Sequence, residues 1–173
     1  VTWQAHGRVP PTSERGVDPS LVRFPDGSWR MWLKDEGHDS RTLAVESRDL
    51  EHWTPVDDPG VSSRYGEAPK VFRFGGFAWM LEDPDSGLDV YRSDDLQSWT
   101  YQGKILAEPG HRNDDGEIGK HADVVVRGTR AFIFYFTHPD GQRNGVKEGV
   151  MPFSDRRSSI QVAFTLSHIS AVM

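Results

Sequence analysis

Three ionisable residues stand at regular intervals in this chain, each at the start of a similar phrase of sequence. They are Asp18, Glu67 and His121, and the intervals between them are 49 and 54 residues. Carboxylates and imidazoles are the side chains that most often transfer protons in enzymes, and they also bind polar ligands. If the repeated phrases fold alike, the three residues approach one common site and are the first candidates for chemistry.

The repeated phrase is clearest at Glu67–Thr100. It opens with Glu-Ala-Pro and a valine-containing run, turns at a pair of glycines into an aromatic run, and ends in Ser-Asp-Asp-Leu-Gln-Ser-Trp-Thr. A similar ending stands at Ser47–Thr54, and another opening stands at His121–Val126. A period of roughly 50 residues with several short strands per unit is typical of a β-propeller blade of four antiparallel strands. The sequence therefore predicts an all-β protein.

The repeats predict one partial propeller domain over residues 1–173, with about three blades. Thr2–Val9 is expected to be a lone outer strand, and Trp3 is expected to pack between blades. Blade one runs from Asp18 to about Val56 and blade two from Glu67 to about Leu106. Blade three has two clear strands after His121 and a third at Ser159–Thr165. The strands thus number one, four, four and three.

Three blades fall below the four to eight that usually close a propeller ring. The chain is therefore either a piece of a larger propeller or one half of a ring of six blades shared by two copies with swapped outer strands. The shared ring would cover sheet edges that otherwise promote aggregation, and we favour this homo-oligomer.

Composition narrows the class of partner. The net charge of −6 argues against nucleic acid and against an anionic membrane surface, because binders of both carry basic patches. No apolar run is long enough to span a bilayer, so we expect a soluble protein that is either cytoplasmic or secreted. The absence of cysteine excludes disulfides and thiolate metal sites.

Several short motifs resemble the glycoside hydrolase clan of five-bladed propellers, especially family 43 and its relatives in families 32, 62 and 117. These motifs are the openings Asp18-Pro19-Ser20 and Glu67-Ala68-Pro69, and the endings Ser47–Trp53 and Ser93–Trp99. The likeness extends from Thr2 to about Ala163. The resemblance rests on the combination of these motifs in register.

The resemblance implies a glycosidase that hydrolyses a pentoside or related sugar by general acid–base catalysis in a pocket at the propeller axis. By the same resemblance, Asp18 is the base that activates water and Glu67 is the acid that protonates the leaving oxygen. His121 could be the acid instead, as in family 117, or it could bind a central ion or a sugar hydroxyl. Family 43 has a third carboxylate on a blade between base and acid, and this chain has no such blade.

Five more residues are expected to bind substrate: Asp123, Lys120, Trp32, His138 and Arg112. Asp123 is two residues after His121 and so would share its strand face. The acidic loop 113–117 has the oxygen ligands that calcium prefers but lacks the alternate spacing of an EF-hand loop, so the sequence favours a solvated loop at the rim of the pocket. No cofactor is required by this reading, and a structural calcium ion is the one candidate.

Each candidate also has a structural interpretation. Asp18 before proline could cap a turn, and His121 could be a histidine held at the blade entrance. Glu67 could form an ion pair with Arg15, Arg64 or Lys120, and Trp32 could belong to the core. The rival function is a non-catalytic propeller that binds carbohydrate or protein.

Overall fold

The structure is a computed structural model that describes residues 2–4, 7, 9, 12, 14–57, 66–111 and 117–137, together with the backbone of 160–163. It contains the strands β1 (Gly16–Arg23), β2 (Trp29–Asp35), β3 (Arg41–Ser47), β4 (Trp53–Pro55), β5 (Glu67–Phe74), β6 (Phe77–Asp83), β7 (Leu88–Ser93), β8 (Thr100–Ile105), β9 (Lys120–Arg127), β10 (Arg130–Phe136) and β11 (Ile160–Ala163).

The strands form three antiparallel sheets that follow chain order. β1 to β4 form blade one, β5 to β8 form blade two, and β9 to β11 form a third sheet with β10 at its centre. The first strands of neighbouring blades contact each other, β1 with β5 and β5 with β9. The prediction of an all-β fold built from four-stranded blades is confirmed, as is the strand expected within Ser159–Thr165. None of the described residues forms a helix, and so none of them provides a helical membrane span.

The hairpins owe their tight turns to glycine. Gly75 and Gly76 join β5 to β6 with φ angles of +62° and +88°, a left-handed pair that the two-residue hairpin turn requires. Gly27 makes the corresponding turn of blade one with φ +89°. There the Asp26 carboxylate accepts hydrogen bonds from the backbone N–H and the hydroxyl of Ser28, which fixes the turn.

The repeated Ser-x-Asp-Leu ending is a structural turn that uses its own side chains. The Ser93 hydroxyl accepts the Leu96 N–H at 2.8 Å, and the Asp95 carboxylate accepts the N–H groups of Gln97 and Ser98 at 2.7 and 2.8 Å. These backbone bonds hold the pKa of Asp95 below its usual value. The turn pushes Leu96 into the core, where it is fully buried. The motif therefore serves folding and not chemistry.

The core consists of two apolar layers, each between neighbouring blades. The layer between blades one and two contains Trp32, Ala44, Val71, Ala78, Met80, Tyr91 and Leu96. The layer between blade two and the third sheet contains Phe72, Trp79, Leu81, Leu88, Val90, Ala122, Ala131, Ile133 and Tyr135. Alternate residues of β6 enter opposite layers, so this strand is buried on both faces.

The N-terminal expectations are wrong for the positions that the structure describes. Residues 2–4, 7 and 9 form no strand, and Trp3 is 92% exposed, so it does not pack between blades. Trp99 does pack between blades, because its ring meets that of Trp32 edge to face at 5.9 Å. The two residues share a sequence motif, but only Trp99 is followed by a paired strand.

Candidate functional site

The first strand of each sheet carries a bulge one or two residues after its start. The strand register shifts between Val17 and Ser20 in β1 and between Glu67 and Lys70 in β5. In the third sheet it shifts between Lys120 and Asp123 of β9, which pair with Phe136 and Phe134. In each bulge one residue that is not glycine has a left-handed backbone: Asp18 (φ 54°), Ala68 (φ 47°) and His121 (φ 42°). Asp18 and His121 are therefore equivalent in the blades, whereas Glu67 lies one residue before the equivalent position.

A left-handed backbone at a residue with a side chain costs roughly 1–3 kcal/mol and often marks a functional site. Here the same strain occurs at Ala68, whose methyl group can do no chemistry. The bulge is thus a structural feature of every blade and does not by itself mark a functional site. The capacity for chemistry depends on the side chain that each bulge carries.

Glu67 and His121 are brought into direct contact across the second and third sheets. His121 Nε2 lies 2.9 Å from Glu67 Oε2, and the Lys34 ammonium contacts the other oxygen, Oε1. Lys34 comes from the end of β2 in blade one and is buried, and its Nζ is also 3.6 Å from the Glu36 carboxylate. All three blades therefore contribute one side chain to a Lys34–Glu67–His121 cluster, which we call the triad.

Lys34 is the member of the triad that the sequence did not reveal. The partners expected for Glu67 included Arg15 and Lys120, but Arg15 pairs with Glu36 at 2.7 Å and Lys120 pairs with Asp85. One signal could have identified Lys34: it directly follows the apolar run Met31-Trp32-Leu33 of β2, and a buried lysine needs a carboxylate partner.

A buried carboxylate fixes the backbone that carries His121. Asp83, at the end of β6, accepts the His121 N–H at 3.1 Å and the Asp85 N–H at 2.7 Å. Burial raises the pKa of Asp83, and the bond from His121 opposes that rise. The left-handed turn at His121 is therefore held from the neighbouring blade, so the imidazole is positioned by contacts at both ends.

Two residues expected to bind substrate are engaged in ion pairs. Lys120 reaches Asp85, and Asp123 lies 2.5 Å from Lys70 while two thirds of its side chain is exposed. The expectation that Asp123 shares a face with His121 stays a prediction: the bulge interrupts the two-residue alternation between them, and their side chains contact different residues of β5, Lys70 and Glu67.

Trp32 does not bind a ligand from its position in this structure. It is fully buried in the layer between blades one and two, which corrects its assignment as a substrate-binding residue and supports the core interpretation. His138, Arg112 and most of the acidic loop 113–117 lie outside the described residues. Within the described part of the chain, no group of three or more acidic or histidine side chains could hold a metal ion.

Asp18 occupies the bulge of blade one with its side chain half-buried. Its carboxylate has no hydrogen-bond or ion-pair partner among the described residues. A turn-capping role would require a bond from a local backbone N–H, so the cap interpretation has no support in this part of the chain.

Glu82 is a second buried carboxyl, on the other face of β6 from Asp83. Thr42 of blade one donates a hydrogen bond to it at 2.5 Å, and Gly66 packs so closely that an added Cβ would lie 3.3 Å from its carboxyl carbon. Burial raises the pKa of Glu82 to about 7 from an ordinary 4.5. The group is therefore protonated in the fold under conditions that ionise it in the unfolded chain.

This difference predicts a pH-dependent stability. Because the pKa of Glu82 is higher in the folded than in the unfolded chain, its contribution to stability is fully present below about pH 4.5. That contribution is lost as the pH rises through about 7. Glu82→Gln keeps the hydrogen bond from Thr42 and removes the charge. Above pH 8 its free energy of unfolding should therefore exceed that of wild type by about 3 kcal/mol. Urea denaturation at pH 4.5 to 8.5 measures the difference, with the exposed Asp94→Asn as control. Parallel curves for wild type and Glu82→Gln would contradict the assignment.

No family model matches the sequence, and no curated protein matches it. Solved structures match its fold. A thermostable family-43 glycoside hydrolase superposes with a TM-score of 0.52 at 16% identity, over 75% of this chain and 45% of its own. An α-L-arabinofuranosidase from Lactobacillus brevis gives 0.53 at 15% identity, over 78% and 48%. A structure of the GH130 family of mannoside phosphorylases gives 0.53 at 16%, over 70% and 41%.

These similarities show the fold. The chain has the blade architecture of family-43-type glycoside hydrolase propellers, and the resemblance noted in its motifs is confirmed at that level. The chain spans less than half the length of each of these solved structures.

Proposed function

We propose that this protein is a glycoside hydrolase in which His121 donates the proton to the leaving oxygen and Asp18 activates water. The observation that supports the proposal is the triad, in which one carboxylate holds an imidazole on one oxygen and an ammonium on the other. Hydrolysis of a glycosidic bond requires an acid and a base on opposite sides of the bond.

Glu67 is better suited to hold His121 than to be the acid itself. A contact with an ammonium favours the ionised form of a carboxylate, and both oxygens of Glu67 already have partners. His121 uses Nε2 for Glu67, while Nδ1 has no partner among the described residues and a third of the side chain is exposed. The Nδ1 edge is therefore the side from which His121 would donate a proton to a substrate.

Asp18 suits the role of base because its carboxylate has no described partner and stands at the bulge equivalent to that of His121. β1 and β9 both contact β5, so the strands that carry Asp18 and His121 are both neighbours of the strand that carries Glu67. The substrate class we propose is a pentoside or a related sugar, in keeping with the arabinofuranosidase whose fold the chain shares.

A panel of nitrophenyl arabinosides, xylosides, galactosides and glucosides tests the activity. Asp18→Asn is expected to lower kcat/KM on the best substrate about 100-fold, because it removes the base but keeps the shape. The control is Asp39→Asn, an exposed aspartate that also has a left-handed backbone. Equal activity of Asp18→Asn and wild type would refute Asp18 as the base. Sugar binding without turnover on any glycoside would favour the non-catalytic binding module.

We also propose that a second copy completes the ring. Apolar side chains are exposed on the first strands at both ends of the blade series, Val17 and Leu21 on β1 and Val125 and Val126 on β9. Covering them against another chain would remove apolar surface from water. Light scattering at micromolar concentration is expected to give twice the monomer mass, and a stable monomer would defeat the shared ring.

A further inference from the structure

A basic cavity lies at the hairpin ends of blades one and two, remote from the triad. It has a volume of about 390 Å³ and is lined by Arg23, Phe24, Pro25, Gly27 and Arg73. Arg73 follows Glu67 by six strand residues, which is about 20 Å of extended chain. The cavity and the triad therefore occupy opposite ends of the same blades.

The two arginines of this cavity have no acidic partner within the described parts of the chain. Neither guanidinium forms an ion pair or a hydrogen bond there, although the chain as a whole carries a net charge of −6. The nearby Asp26 carboxylate is engaged by Ser28 in the turn. Two exposed cations beside one cavity attract an anion and repel a cation.

One of these cations is held in place before any ligand arrives. The Arg23 guanidinium lies over the Trp29 ring, 5.5 Å from its centre. Gly27 lies beside this guanidinium, and a Cβ built on it would be 3.8 Å from the Arg23 side chain. Because Gly27 has no side chain, the turn leaves the guanidinium uncovered on this side. Stacking of this kind reduces the freedom lost on binding and leaves the N–H fork available to a planar oxyanion.

The remainder of the lining is apolar. Phe24 and Pro25 provide carbon surface beside the two guanidinium groups, and the Arg30 guanidinium lies 5.2 Å from the centre of the Phe24 ring. A carboxylate is planar and matches the arginine fork with two parallel hydrogen bonds. The volume suits a group of about the size of one sugar ring.

We propose that this cavity binds a sugar that carries a carboxylate, a uronate unit, with Arg23 and Arg73 on the carboxylate and Phe24 against the ring. The site is separate from the proposed catalysis, and a single sugar held on so open a surface should bind with roughly millimolar affinity. It would allow the protein to hold an acidic saccharide at the end of the blades away from the triad.

Titration with glucuronate, followed by NMR chemical shifts of the full chain at low salt, tests the site. Arg73→Gln and Arg23→Gln are each expected to weaken binding at least about tenfold, since each removes a charge-assisted contact. The matched control is Arg41→Gln, which removes one positive charge at the opposite end of blade one, where Arg41 pairs with Asp39 at 3.5 Å. This control should bind glucuronate as wild type does.

Three outcomes would overturn the proposal. The first is an absence of saturable glucuronate binding by wild type. The second is an equal loss in Arg41→Gln, which would make the effect one of net charge. The third is binding of acetate or inorganic phosphate as tight as that of glucuronate, because the sugar ring would then contribute nothing. Glucose, which lacks the carboxylate, should not bind. Glycosidase assays on the same variants are independent of all these results.

Discussion

Replacing His121 with asparagine is expected to lower kcat for glycoside hydrolysis about 1,000-fold, because asparagine cannot donate a proton with the acidity of an imidazolium. Asparagine keeps a polar side chain at this position and tolerates the left-handed backbone that His121 adopts. The measurement is steady-state turnover at several pH values of the methyl glycoside of the preferred sugar, whose poor leaving group needs the proton; the nitrophenyl glycoside should be affected much less. His38→Asn is the matched control, since His38 bonds Asp35 at 3.0 Å and stands outside the triad.

The role of Glu67 is tested in the same assay. If Glu67 acts by holding His121, Glu67→Gln should also reduce kcat strongly, and the double variant should be no slower than His121→Asn alone. If Glu67 is itself the acid, Glu67→Gln should slow the methyl glycoside but spare the nitrophenyl glycoside, whose leaving group needs little protonation, and His121→Asn should show no such difference. A His121→Asn variant that keeps more than a tenth of wild-type activity on the methyl glycoside would remove His121 from the reaction.

Replacing Trp32 with alanine is expected to lower the free energy of unfolding by about 3–5 kcal/mol. The indole is fully buried between blades one and two, where it meets Trp99 edge to face, so its removal leaves a cavity in the core. Urea denaturation followed by circular dichroism measures the change. Trp3→Ala, at a position 92% exposed, should change stability by less than about 0.5 kcal/mol.

The same pair of variants distinguishes the core interpretation of Trp32 from a sugar-binding one. A loss below about 1 kcal/mol for Trp32→Ala, together with weaker sugar binding, would restore Trp32 as a ligand contact. With the burial seen here, any loss of binding should instead follow from loss of the fold.

The blade architecture could be read from the chain alone because the signals that carry it are local. The glycine pairs that close hairpins and the Ser93–Asp95 turn bind neighbours within a few residues, and the alternation of apolar side chains is a property of one strand. Such patterns do not depend on what packs against them. The first residues of the repeats also identified two of the three triad members, Glu67 and His121, before the structure placed them in contact.

Only the tertiary structure decided how those residues meet. Glu67 stands one residue before the position in its bulge that Asp18 occupies in blade one. A bulge adds a residue to one strand, and no sequence pattern shows where that residue is. Lys34 reaches Glu67 across 33 residues of chain, and Trp32 is buried by Trp99 of the next blade. These contacts exist because neighbouring blades pack face to face, and the partner that a side chain meets there is set by blade packing rather than by distance along the chain.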